Sequence, residues 1–137
     1  EPVVAQPTMA TAIQIGNPVS FPKAVRALRA TDGIVEQVSE AELADAAAYG
    51  DQFGFFNDPQ TGVALGVTRK LIRSGAIPSS SRVVVVSTAH GLKFIDFKLK
   101  THQGKVANTD SALRNLPVEV PADVGEILAT INGRLPA

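Results

Sequence analysis

Val83–Val86 is an unbroken run of four valines. β-Branching restricts the side-chain torsion and suits a pleated strand better than a helix. The run does not alternate with polar residues, so a strand built from it is covered on both faces, as in a parallel sheet flanked by helices. The rest of the chain is then asked for helices to do the covering.

The flanking pattern supplies them. Ser20 stands as an N-cap with Pro22 in the first turn, which predicts a helix over Lys23–Ala30 stopped by Asp32-Gly33. Ile34–Val38 alternates apolar with polar residues as a short strand. Ser39 and Glu42 have capping-box spacing and open an Ala-rich helix, Glu40–Tyr49, that ends at Gly50. Phe53–Phe56 reads as a brief aromatic strand or an extended turn. Asn57-Asp58-Pro59 starts a further helix, Pro59–Ser74, whose first half, Thr61–Val67, has no polar face and must be buried. Arg69, Lys70 and Arg73 suit its negative end, with Gly75 just beyond. Thr8–Ile15 is too short for periodicity to choose between a strand and a turn of helix. Asp123–Asn132 predicts a terminal helix ended by Gly133. Helices alternating with strands place the chain in the α/β class with a parallel-type sheet and flanking helices. Residues 1–103 form the principal unit and 104–137 a more polar tail.

Charge and inventory narrow the chemistry. Thirteen Lys plus Arg balance 13 Asp plus Glu, which argues against nucleic-acid binding by phosphate neutralisation. There is no Cys, so thiolate zinc sites, cysteine nucleophiles and disulfides are excluded. His90 and His102 are too far apart in sequence for a local metal-ligand pair, so no metal site is expected. No apolar run is long enough to span a membrane. Neither common Gly-rich phosphate fingerprint nor a G-x-S-x-G elbow is present. The opening residues, which lack an initiator Met, read as the middle of a longer polypeptide.

Three segments remain as candidate sites. Ser87-Thr88-Ala89-His90-Gly91 follows the valine run, and ligands of open α/β sheets collect at the carboxyl ends of strands. The plainer alternative is a strand exit with Thr88 bonding local backbone. Ile15–Ser20 combines Gly16, which permits close approach, with Asn17, which can orient a polar group, or is simply a helix-entry turn. Asn57–Thr61 lies at a helix N-terminus, where Asp58 or Asn57 serves as a cap and free N–H groups favour anions.

Together these segments resemble threonine synthase. The likeness is carried by A-T-A-I-Q-I-G-N-P-V-S (Ala10–Ser20), G-I-V-E-Q-V-S-E-A-E-L (Gly33–Leu43), D-P-Q-T-G-V-A-L (Asp58–Leu65) and V-V-V-V-S-T-A-H-G-L-K-F (Val83–Phe94). The S-T-A-H-G-L-K-F and P-x-T-G-V-A-L runs point to the plant-like branch, and the likeness loosens after about Lys105.

The resemblance implies the C-terminal part of the larger, cofactor-binding domain of a fold-type II pyridoxal-phosphate enzyme, related in fold to the tryptophan synthase β-subunit. It implies conversion of O-phospho-L-homoserine and water to L-threonine and phosphate, in the cytoplasm or in a plastid. A homodimer and the remainder of the same polypeptide are the implied partners, with neither nucleic acid nor membrane. The family's hydroxyl donor to the pyridine nitrogen falls on Thr88, while Ala12, Gln14, Gly16, Asn17, Asp58, Thr61 and Ala89 line or support the pocket. The family's Schiff-base lysine and its cofactor-phosphate loop have no counterpart here. None of Lys23, Lys70, Lys93, Lys98, Lys100 and Lys105 has the lysine's context, and Lys93 reads as a solvated charge. The isolated chain is therefore expected to be inactive. An independent binding module, or a dehydratase or β-replacement enzyme of the same fold, are the alternatives.

Overall fold

The computed structural model describes residues 1–134. Its α-helices are α1 (Phe21–Thr31), α2 (Glu40–Asp51), α3 (Pro59–Arg73), α4 (Ile95–His102) and α5 (Val124–Asn132). Short 3-10 turns occupy Thr11–Ile13, Gly91–Phe94 and Ser111–Leu113.

The α2–α3 pair is the foundation. The expected capping box opens α2: the Glu42 N–H donates to Ser39 Oγ at 3.2 Å, and the Ser39 N–H donates to Glu42 Oε2 at 2.7 Å. From there Leu43, Ala44, Ala46, Ala47 and Ala48 are buried. Small residues on both helices bring the backbones together. A methyl group at Gly62 would lie 2.6 Å from the Leu43 carbonyl oxygen and 3.2 Å from Ala47 Cβ. One at Gly66 would meet Val38 Cγ1 at 3.3 Å. The apolar first half of α3 is thus accounted for by contact with α2. At its far end Ser74 closes the helix and Gly75 takes φ 78°, with the Ile77 N–H returning to the Leu71 carbonyl at 3.1 Å.

Leu43, Ala44, Ala47, Phe97 and Val106 form the core, with Met9, Val38, Val63 and Phe94 packed against it. Phe97 brings α4 onto α2. Glu40 ties the N-terminal segment to the start of α2, accepting from Thr8 Oγ1 at 2.6 Å and the Met9 N–H at 2.8 Å.

Several expectations are corrected. Among the described residues no strand ladder forms, so the parallel sheet is not assembled within this chain. Its β pairing is a single antiparallel bridge, Asn57 with His90. Val83–Val86 and Ile34–Val38 are irregular, with Val84 86% and Val35 77% exposed. A strand exists only when a neighbour pairs its N–H and C=O groups, and among the described residues neither segment is so paired. Phe53–Phe56 resolves to the turn alternative, and Thr8–Ile15 to a 3-10 turn. Ser20 is the N-cap residue of α1 but makes no side-chain cap bond, because its φ of −87° and ψ of 7° depart from the extended geometry a capping hydroxyl needs.

The terminal helix forms as expected, with Asp123 capping the Glu126 N–H at 3.0 Å, yet it buries no residue. The total accessible surface is 9986 Å². A compact monomer of this mass exposes about 6,800 Å². The chain therefore shows more surface to solvent than a compact monomer of its mass.

Candidate functional site

The site starts from the cap of α3. Asp58 is extended, at φ −76° and ψ 163°, and Pro59 follows where a missing N–H costs nothing. Asp58 Oδ1 accepts from the N–H groups of Gln60 at 2.9 Å and Thr61 at 3.0 Å. Its second oxygen accepts from Thr61 Oγ1 at 2.6 Å and from the Ala89 N–H, 31 residues away, at 2.9 Å. Thr61 Oγ1 in turn accepts from the Thr88 N–H at 3.2 Å. A fully buried carboxylate therefore ties the segment after the valine run to the N-terminus of α3.

Burial alone would raise the Asp58 carboxyl above the usual aspartate value. The hydrogen bonds from Thr61, Ala89 and Gln60 outweigh it and hold the group below that value, as a carboxylate at neutral pH.

Two further contacts fix the loop. The Gly91 N–H donates to the Phe56 carbonyl at 2.7 Å, and His90 caps the next turn by accepting the Leu92 N–H on Nδ1 at 3.2 Å. A Cβ at Gly91 would lie 2.8 Å from both Lys98 Cε and Phe56 Cδ1, so only glycine fits without displacement. Thr88 is exposed. Its N–H is held by Thr61, and among the described residues no hydrogen bond engages its hydroxyl.

Of the residues singled out from sequence, Asp58, Thr61, Thr88 and Ala89 meet in one network. Ala12 joins through Gln60, whose amide, turned to satisfy both neighbours, donates to Asp58 Oδ1 at 2.5 Å and accepts from the Ala12 N–H at 3.0 Å. Gln14 and Asn17 are exposed and outside the network, and Gly16 pairs elsewhere, accepting from the Val3 N–H at 2.9 Å. Beside the network runs a mainly apolar groove of about 380 Å³, lined by Tyr49, Phe53, Phe55, Leu65, Val85 and Ser87 among others.

One cluster was not foreseen. Lys98, with its side chain 2% exposed, reaches both oxygens of Asp51 at 2.6 and 2.7 Å. The same carboxylate lies 2.9 Å from His102 Nε2, and His102 Nδ1 accepts the Asn115 N–H at 3.1 Å. Because Nδ1 accepts, Nε2 carries the proton donated to Asp51. The Lys98 ammonium also sits 4.7 Å from the Phe56 ring centre. Burial lowers its pKa, and the Asp51 hydrogen bond and charge offset only part of that. The cluster joins α2, α4 and the segment at Asn115. The remaining lysines are exposed or partly exposed, Lys93 among the exposed.

Among the described residues no helix is long and apolar enough to cross a membrane. No family model matches the chain. Among curated proteins it is 48% identical over 127 residues to Threonine synthase 2, chloroplastic, of Arabidopsis thaliana, covering 93% of this chain and 25% of that protein. It is 35% identical over 97 residues to the threonine synthase of Methanocaldococcus jannaschii, covering 70% of this chain and 24% of that protein. With the threonine synthase of Bacillus sp. (strain ULM1) it shares 33% identity over 116 residues, covering 83% of this chain and 33% of that protein. The chain thus spans about a quarter to a third of the curated relatives it matches.

Proposed function

Because this chain belongs to the threonine synthase family, we propose that it is one part of an enzyme that makes L-threonine and phosphate from O-phospho-L-homoserine and water. Within that enzyme it corresponds to the C-terminal part of the larger domain, where Val83–Val86 joins a parallel sheet with strands from the rest of the polypeptide. The complete protein is a homodimer of the cytoplasm, or of a plastid in a plant. The observation that carries this reading is the Thr88 hydroxyl, without a hydrogen bond among the described residues and exposed on a backbone held by Thr61 and flanked by the Asp58–Ala89 bond.

The residues present fit one end of a pyridoxal-phosphate site. When bound, the cofactor supplies a ring that draws electrons away from the amino-acid substrate. Thr88 would hold the ring nitrogen by a hydrogen bond from its neutral hydroxyl, which, unlike a carboxylic acid, keeps its proton. Asp58 and Thr61 hold the backbone N–H groups of residues 89 and 88 that flank the Thr88 side chain, and Ala89, lacking a bulky side chain, leaves room for a flat ring. Gln60 ties Ala12 to the same wall. Gln14, Gly16 and Asn17 line the pocket only in the assembled enzyme.

The Schiff-base lysine lies in the rest of the polypeptide. Lys98, the buried lysine of this chain, is engaged by Asp51 and is not presented to a ligand. Incubating the 137-residue chain with pyridoxal phosphate and borohydride tests the reading. No stoichiometric labelling is expected, and reduction onto one specific lysine would overturn it. The exposed valines and the large accessible surface favour a part of an enzyme over a self-sufficient binding module.

A further inference from the structure

We propose that Asp58 is the positioning residue for Thr88, acting through Thr61 and Ala89 and separately from its work as a helix cap. This rests on the reading of Thr88 given above.

The two carboxylate oxygens divide the labour. Oδ1 takes the Gln60 and Thr61 N–H groups, which is what any N-cap does. Oδ2 does something a cap does not require: it takes the Thr61 hydroxyl and the Ala89 N–H. A carboxylate only accepts, so the Thr61 hydrogen is committed to Asp58. The oxygen of Thr61 is then left with lone pairs to accept the Thr88 N–H at 3.2 Å. Every hydrogen in the relay has its direction set by the charge on Asp58. Residues 88 and 89 are held by successive N–H groups, and the side chain between these anchors is the Thr88 hydroxyl.

The geometry separates the two roles by one substitution. In Asp58→Asn the side-chain oxygen still caps Gln60 and Thr61, as Asn does well at this position. The new NH2 group cannot accept from Ala89 or from the Thr61 hydroxyl. Helix α3 survives while the relay is lost. Thr61→Val breaks the relay one step further on and keeps the carboxylate, so it carries the test should the Asn variant fail to fold.

The experiment uses the complete polypeptide containing this chain, with three variants: Asp58→Asn, Thr61→Val and Thr88→Val. In the cofactor-free protein, amide hydrogen exchange is expected to speed up about tenfold or more at residues 88 and 89 in Asp58→Asn and at residue 88 in Thr61→Val, as loss of a charge-assisted or buried hydrogen bond implies. Exchange within α3 stays near wild type. Pyridoxal phosphate is then titrated and followed by its visible absorption. Both relay variants are expected to weaken its binding, and shift its absorption maximum, in the same direction as Thr88→Val. If Thr88→Val perturbs the cofactor but the relay variants leave both exchange and absorption unchanged, Asp58 is a cap and nothing more. If Thr88→Val itself has no effect, the assignment of Thr88 fails and the positioning role fails with it.

Discussion

Asp51→Asn puts a number on the cluster that the sequence concealed. Lys98 is sealed against Phe56 with one carboxylate for company. At 2.6–2.7 Å and an effective dielectric of about 20, the attraction between the two charges is about 6 kcal/mol. The variant does not lose all of it, because an asparagine oxygen still accepts a hydrogen bond and because Lys98 can shed its proton. Discharging a lysine at pH 7 costs about 4.6 kcal/mol from its ordinary value near 10.4, which is a ceiling on the damage. Truncating one member of a buried pair costs about 3–5 kcal/mol in general. The expected loss is therefore about 3–4.5 kcal/mol, a large share of the stability of any domain of this size. Urea titration followed by far-UV ellipticity measures it, repeated at two protein concentrations so that association is read separately. Lys98→Met in the Asp51→Asn background should recover about half of the loss by removing the stranded charge. A loss under about 1 kcal/mol, or a double variant as weak as the sum of the singles, would refute the reasoning. The pH dependence gives an independent sign. Lys98 has a lowered pKa in the fold, so the unfolded chain binds more protons between that value and about 10.4, and stability rises with pH across that window. In Asp51→Asn the window opens further toward neutrality.

Gly62→Ala should destabilise by about 1–3 kcal/mol, since its methyl group meets the Leu43 backbone, whereas Gly66→Ala should be near neutral, its gain in helix propensity offsetting a contact the Val38 side chain can yield; parallel urea titrations rank the two. Asp58 gives the opposite pH sign to Lys98: its pKa is lowered in the fold, so its contribution is complete above the ordinary aspartate value near 3.9 and is lost as pH falls through the depressed value. Acid titration of wild type against Asp58→Asn, followed by ellipticity, should show that loss in wild type alone.

What was legible in the sequence was what the chain decides locally. The Ser39–Glu42 box, the Asp58-Pro59 start of α3 and the terminal helix ended by Gly133 are each settled within a few residues, and each stands where the pattern put it. Pairing is not local. Val83–Val86 has strand chemistry, but a ladder needs a neighbour, and among the described residues none pairs with it. Helix α4 escaped for a different reason. Ile95, Phe97 and Leu99 alternate with Asp96, Lys98 and Lys100, a period of two that belongs to a strand. The face it buries is Phe97, Lys98, Thr101 and His102, mostly polar, and is intelligible only once Asp51 stands opposite. In the candidate site, Asp58 was readable as a cap, whereas its hold on Ala89 spans 31 residues and leaves no mark in local spacing.

The contact of α2 with α3 at Gly62 has a consequence for how such a protein can change. Where two helices touch through backbone and methyl groups, there is no side chain left to trim, and little room to add one. Their separation is a fixed calibre that substitution cannot adjust in either direction. Asp58 is mounted at the end of that calibre, so the wall behind Thr88 is inherited whole. Variation in what the site accepts must then come from surfaces facing it, not from the floor on which it stands.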